Sequence, residues 1–293
     1  VAIAADVDIA VPSLRHLEAV LAFANADDPA RVHLHLDTGM ARDGAPQEEW
    51  TELCRRAADA ERRGLLRVDG IMGHLACAAE PRNPQNAAGR RMFARGVNEA
   101  GAAGLRPVHR HLAATAAVLT DARSHLTMVR VGAGLYGIDP SNTVRLRPAQ
   151  TLTAPIVSIR HVTAGTPVGY GHTWSAPGET RLGLLPIGYA DGLPLAASGR
   201  AEVLVGGRRR PLVGRFSMDS VVVDLGDHPI APEEIATVFG PGDSGEPTVA
   251  EWAAWAGTIE HEIVTGLGHR VHRAHRPAPG GPPNEFAATG GVR

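Results

Sequence analysis

Val32-His33-Leu34-His35-Leu36-Asp37-Thr38-Gly39-Met40-Ala41-Arg42-Asp43-Gly44 runs from an apolar strand pattern straight into a polar loop bounded by glycine. Just downstream, Pro46 suits a helix start, and Trp50, Leu53, Cys54 and Ala57 recur at helical spacing. The same alternation continues outward. A second strand is predicted over 68–75 and a helix over 86–100. A third strand is predicted over 106–113 with a short helix from Thr115, then a fourth strand over 128–135. Upstream, 1–11 reads as a further edge strand, and Ser13 is placed to cap the helix after it. Strands separated by helices every few tens of residues are the pattern of parallel β/α units.

Beyond Leu146 the texture changes. β-rich segments are expected at 152–162, 181–187, 201–205, 210–224 and 235–239, punctuated by Gly and Pro. Thr248-Val-Ala-Glu251 is a capping box opening a helix through Trp252 and Trp255. A (β/α)8 barrel needs roughly 250 residues, and about half of one is visible. The expected fold is therefore a partial (β/α)8 TIM-like barrel at 1–144, a mainly β C-terminal domain at 145–276, and a disordered Pro-Gly-Ala tail at 277–293.

Hydrophobic residues make up 44% of the 293 and charged residues 20%, the balance of a soluble globular protein. A net charge of -2 gives no argument for a nucleic-acid or membrane partner. Two cysteines, Cys54 and Cys77, make no disulfide framework, so a reducing, cytoplasmic setting is expected. All 29 basic residues are arginine. Only an amine that can lose its proton forms a Schiff base, so no side chain of this chain can hold a carbonyl cofactor that way.

His33 and His35 alternate on one strand, as do His109 and His111, so each pair shares a face. Such pairs can gather zinc in a barrel. They can equally be partly buried imidazoles with hydrogen-bonded nitrogens, which is the favoured reading because Arg110 is a poor neighbour for a metal and no later carboxylate partner is evident. The polar motifs are more specific. Arg42 lies in a loop beyond a strand end, where barrel active sites lie. Arg130, in Arg130-Val-Gly-Ala-Gly-Leu-Tyr136-Gly, sits in an apolar run and must meet an acceptor. Val168-Gly-Tyr170-Gly, Pro186-Ile-Gly-Tyr189-Ala-Asp-Gly192 and Gly214-Arg-Phe-Ser-Met218-Asp219 follow, each with glycine permitting close backbone approach.

In this order the motifs resemble those of the alanine racemase family, a pyridoxal 5'-phosphate (PLP) barrel followed by a β domain, with the match running over 32–273. The resemblance implies interconversion of L- and D-alanine, through a PLP aldimine with two-base proton transfer, supplying D-alanine for peptidoglycan. It makes Tyr170 one catalytic base, with His74 near it. Arg42 would support the cofactor ring and face the substrate carboxylate, Tyr189 and Met218 would meet the substrate, and Arg130 would donate to the pyridine nitrogen. Thr115, Gly132 and Ala133, with His261 where the family usually has tyrosine, would bind the phosphate. The phosphate would also be well placed at the helix start after Thr115. A free tyrosine has a pKa near 10, so a tyrosine base draws on nearby positive charge. The resemblance also implies a head-to-tail homodimer in which Tyr170, Tyr189 and Met218 serve the partner's cofactor.

The sequence departs from the family at several points. His35 stands where lysine is common, and Ala114 where asparagine is common beside Thr115. The cofactor lysine belongs to the family's first barrel strand, which is expected to precede Val1. Three readings follow: an alanine racemase whose lysine-bearing units lie upstream, a non-catalytic relic or PLP-binding protein, and a metal-dependent barrel hydrolase.

Overall fold

The computed structural model describes residues 1–275, so the tail expected at 277–293 lies outside them. They form two compact units, Val1–Arg147 and a second beginning at Pro148. The first contains β1 (Ile9–Val11), α1 (Leu14–Leu21), β2 (Ala30–His35), α2 (Gln47–Arg62), β3 (Leu66–Met72), α3 (Pro84–Ala102), β4 (His109–His111) and α4 (Thr115–Thr120). The strands make one open sheet in the order β1-β2-β3-β4, every pair parallel. This is the strand–helix repeat of a β/α barrel.

Local chemistry sets the helix starts. The Ser13 side chain accepts from the His16 amide and the Asn83 side chain from Gln85, with Pro84 as the first helical residue. Pro46 precedes α2, and Glu48 and Glu49 favour the positive end of its dipole. On β2 the odd and even residues part company. Val32, Leu34 and Leu36 are fully buried in the core with Trp50, Leu53 and Phe93, and the Trp50 indole donates to the Gly96 carbonyl of α3 at 2.9 Å. His33 and His35 take the other face. Gly70 makes room there, since a Cβ at that position would lie 2.2 Å from His33 Nδ1.

Three expectations in this unit are corrected. The edge strand expected over 1–11 is only Ile9–Val11, preceded by a 3-10 turn at Ile3–Ala5. Residues 128–135 form no strand. They run as irregular chain into a 3-10 turn at Ala133–Tyr136, and Val129 and Val131 are each 38% exposed with no strand to pair with. The strand expected over 106–113 is only His109–His111, because Pro107 offers no N–H to a ladder.

The second unit holds β5 (Leu152–Pro155), β6 (Ser158–Val162), β7 (Pro167–Val168), β8 (Trp174–Ser175), β9 (Thr180–Leu185), β10 (Glu202–Val205), β11 (Arg208–Val213), β12 (Val221–Gly226) and β13 (Ile235–Phe239), then α5 (Val249–Ala256) and α6 (Glu260–Thr265). The strands β7 and β8 form a small hairpin, and the other seven make one sheet in the order β5-β13-β10-β11-β12-β9-β6, every pair antiparallel. Its outer strands are successive halves of one extended segment. Ile156 N donates to Glu234 O on one side and Val157 N to Leu184 O on the other, both at 2.9 Å. The sheet thus curls round and closes through the chain itself. The single strand expected over 152–162 is therefore two, at opposite ends of the sheet. The run 210–224 is likewise two strands, separated by the turn that carries Met218. Val203, Val223, Ala236 and Val238 fill the interior with Phe216 and Trp252, and Thr248 and Glu251 cap α5 reciprocally as expected.

Candidate active site

In the first unit the polar residues gather where β2, β3 and β4 end. The sharpest arrangement surrounds Arg130, a half-buried residue anchored by its amide to Ala113 O at 3.0 Å. Its NH1 donates to His111 Nδ1 at 2.9 Å and to His111 O at 3.2 Å. Its NH2 donates to Gly73 O at 2.8 Å and approaches His74 Nδ1 at 3.2 Å. Among the described residues its Nε–H has no acceptor.

Arginine has no lone pair to offer, so these contacts fix proton positions. His111 Nδ1 must be the bare nitrogen, leaving its Nε2–H to donate to His33 Nδ1 at 2.8 Å. His33 in turn carries its proton on Nε2, which faces Asp8 Oδ2 at 3.5 Å, too far for a hydrogen bond. Burial first, then the Arg130 charge and the neighbouring imidazoles, push His111 down to about 3. Burial also lowers His74, helped by Arg130 and Arg42. For His33 and His35, burial outweighs the opposing pull of Asp8 and Asp43. All four imidazoles are therefore neutral at pH 7, and burial lowers the Arg130 guanidinium from its usual value too. The site holds one fixed cation in neutral, tautomer-locked surroundings.

The loop after β2 supplies the rim. Thr38 Oγ1 donates to His74 O at 2.5 Å and accepts from His74 N at 3.1 Å, tying the β2 and β3 exits together. Asp37 accepts from the amides of Gly39 and Met40 at 2.9 Å and of Ala41. Burial alone would raise its carboxyl, but those amides hold it below the usual range. Arg42 is exposed on this rim, beside a small cavity lined by His35, Asp37, Thr38 and His74. His35 meets Asp43 at 3.5 Å. Where β4 ends, Thr115 opens α4, with Ala114 giving no side-chain cap, and Thr115 Oγ1 accepts from Gly134 N at 3.2 Å. A Cβ at Gly132 would meet nothing within 4 Å, so the backbone there borders open space. Ala133 begins the 3-10 turn beside it.

The second unit brings three motif loops together. Tyr189 N donates to Ser217 O at 3.1 Å and Ala190 N to Met218 O at 2.9 Å. A Cβ at Gly188 would lie 2.4 Å from the carbonyl oxygens of both Ser217 and Met218, so only glycine lets these loops meet. Gly169, with φ +74, leans on the Arg215 backbone beside them. Tyr170, Tyr189 and Met218 consequently stand 70%, 43% and 54% exposed on one loop cluster. His261 lies apart on α6, and among the described residues its ring makes no hydrogen bond.

Among the described residues no group of three or more His, Cys, Asp or Glu is arranged to hold a metal ion. His33 Nδ1 and both His111 ring nitrogens are spent on one another and on Arg130. No helix among the described residues is long and apolar enough to cross a membrane. His111 is the hydrogen-bonded, buried imidazole expected of its His-x-His pair, while sequence reasoning missed three contributors: Thr38 in the first unit, and the carboxylates Asp191 and Asp219 in the second. The signals were the acids inside the tyrosine and methionine motifs.

The N-terminal domain pattern of alanine racemases matches residues 1–140, and the C-terminal domain pattern matches 149–275. An alanine racemase of Streptomyces coelicolor is 45% identical over 282 residues, covering 94% of this chain and 72% of its own length. The crystal structure of the alanine racemase from Streptomyces lavendulae, a D-cycloserine producer, is 40% identical and superposes with a TM-score of 0.88, over 92% of this chain and 72% of that one. That of a Bartonella henselae alanine racemase, with covalently bound pyridoxal phosphate, is 25% identical with a TM-score of 0.79 over 93% and 74%.

Proposed function

The chain belongs to the alanine racemase family of PLP-dependent enzymes, and from that premise we propose how its residues serve the interconversion of L- and D-alanine. The observation that carries the reading is the setting of Arg130, a half-buried cation held by His111, His74 and Gly73 whose Nε–H has no acceptor among the described residues.

The residues present fit PLP. A pyridine nitrogen needs one donor that does not surrender its proton, and Arg130 is such a donor. A phosphate needs hydroxyl and amide donors beside open backbone, which Thr115, Gly132 and Ala133 offer; His261 is the further phosphate ligand the family pattern suggests. When bound, PLP supplies the electron sink that lets the Cα–H of alanine ionise. Arg130 limits that sink by withholding a proton from the ring, which favours racemisation over side reactions that need a fully protonated ring. Arg42 faces the substrate carboxylate and supports the ring, and His74 completes the polar wall beside Arg130. Tyr170 holds or takes the proton at one face, while Tyr189 and the Met218 backbone orient the substrate. The exposure of Tyr170, Tyr189 and Met218 supports a homodimer in which these three serve the partner's cofactor.

The test is a PLP titration of the purified chain by calorimetry, alongside a coupled assay for D-alanine formed from L-alanine. Thr115→Ala and Arg130→Met should each weaken PLP binding about tenfold, the cost of a lost charge-assisted hydrogen bond. Unchanged binding in both variants rejects the assignment. The all-arginine composition favours a second reading, PLP binding without catalysis. D-alanine formation by this chain would refute that reading.

A further inference from the structure

We propose that Arg270 is a positioning residue whose guanidinium clamps Asp191 to Asp219 and so fixes Tyr189 relative to Met218. The proposal rests on the reading that Tyr189 and Met218 face the substrate. Arg270 belongs to the segment that follows α6, outside every motif considered above. Its Nε lies 3.0 Å from Asp191 Oδ1, and its NH1 donates to Asp219 Oδ1 at 2.7 Å. Asp191 is two residues beyond Tyr189, and Asp219 immediately follows Met218. One cation therefore joins the two loops that carry the proposed substrate contacts.

Asp191 is built into the loop it stabilises. Its side chain is 10% exposed, its Oδ2 accepts from Gly188 N at 2.8 Å, and its carbonyl accepts from Gly268 N at 2.9 Å. A carboxylate buried to that degree needs a counter-charge, and Asp219 on the facing loop would add a like charge. Without Arg270 the two acids repel, and the two backbone hydrogen bonds of the Tyr189 and Ala190 amides carry the alignment alone. Arginine suits the task because its fork presents separate nitrogens to the two acids, which an ammonium cannot match. The guanidinium itself is 55% exposed. Exposed ion pairs add little to global stability, so the role is one of alignment within the loop pair.

The experiment compares wild type with Arg270→Met, Arg270→Lys and Asp219→Asn in the full chain. Two readouts are used: amide hydrogen exchange across 187–192 and 216–220, and calorimetric binding of two probes. One probe is N-(5'-phosphopyridoxyl)-L-alanine, which carries the substrate's carboxylate and methyl; the other is pyridoxamine phosphate, which lacks them. Arg270→Met should speed exchange at Tyr189 and Ala190 and weaken the alanine-bearing probe about tenfold, while pyridoxamine phosphate changes less than about twofold. Arg270→Lys should recover part of both losses, and Asp219→Asn should shift both in the same direction as Arg270→Met. Unaltered exchange at Tyr189 and Ala190 overturns the clamp, and so does an equal loss for both probes. Should Arg270→Met not fold, Asp219→Asn, at a side chain 61% exposed, decides by the same two measures. Wild type binding neither probe would sink the cofactor reading, while the exchange data still judge the clamp.

Discussion

Replacing His111 with glutamine tests the locked-tautomer reasoning most directly. In wild type the His111 imidazole is held neutral between Arg130 and His33. The unfolded imidazole takes up a proton near 6.5, whereas the folded one waits until about 3. Between those values the unfolded state binds more protons, so acidification favours unfolding. The penalty is absent above pH 6.5, grows as pH falls through the window, and is complete near 3. Its slope is about 1.4 kcal/mol per pH unit, so the window sets a ceiling of about 5 kcal/mol. Glutamine can still accept from Arg130 through its carbonyl and donate to His33 through its amide, but it does not titrate. His111→Gln should therefore lose one proton's worth of acid sensitivity while keeping most of its stability at pH 7. The assays are urea unfolding between pH 4.5 and 7.5 and a proton NMR titration of the imidazole Cε1–H signals. A His111 signal that titrates near 6.5 in the native protein, or an unchanged pH slope in the variant, refutes the reasoning.

Other outcomes follow from single contacts. Gly188→Ala places a methyl 2.4 Å from two backbone carbonyl oxygens, and it should cost at least about 2 kcal/mol in urea unfolding and accelerate exchange at Tyr189. Thr248→Ala removes the reciprocal cap of α5 and should lower stability by about 1 kcal/mol, with Thr248→Ser close to wild type. Trp252→Phe leaves Val238 O, which the indole reaches at 2.7 Å, without its buried donor and should cost roughly 1–3 kcal/mol by thermal unfolding.

Much of the fold was legible because burial periodicity is local. Val32, Leu34 and Leu36 against His33 and His35 announce a two-faced strand, and Ser13, Pro84 and Thr248 mark helix starts by chemistry acting within one turn. The errors share a different cause. The apolar run at 128–135 looks like a strand, but a strand needs a neighbour to pair with, and no local pattern reports one. The run 152–162 is extended throughout. Its division at Ile156 depends on which partners flank it, β13 before the bend and β9 after it. At the site, Arg130 could be marked as a cation needing acceptors, but its acceptors arrive from residues 73, 74 and 111, brought close only by parallel pairing of β3 with β4. Arg270 gave no sequence signal at all, since arginine is abundant in this chain and its two carboxylates lie 79 and 51 positions away.

The closed sheet of the second unit differs in kind from the open sheet of the first. An open sheet offers ladder groups at both margins, whereas here one bent segment serves as both margins at once. A protease cut between Pro155 and Ser158 would part that seam without removing a residue or breaking a strand pairing, leaving β5 and β6 free to separate as the two margins of an open ribbon. Joining the unit's own ends and reopening it there would make a circular permutant with the same contacts but no shared margin. At the seam, continuity of the polypeptide rather than hydrogen bonding between strands maintains the shape.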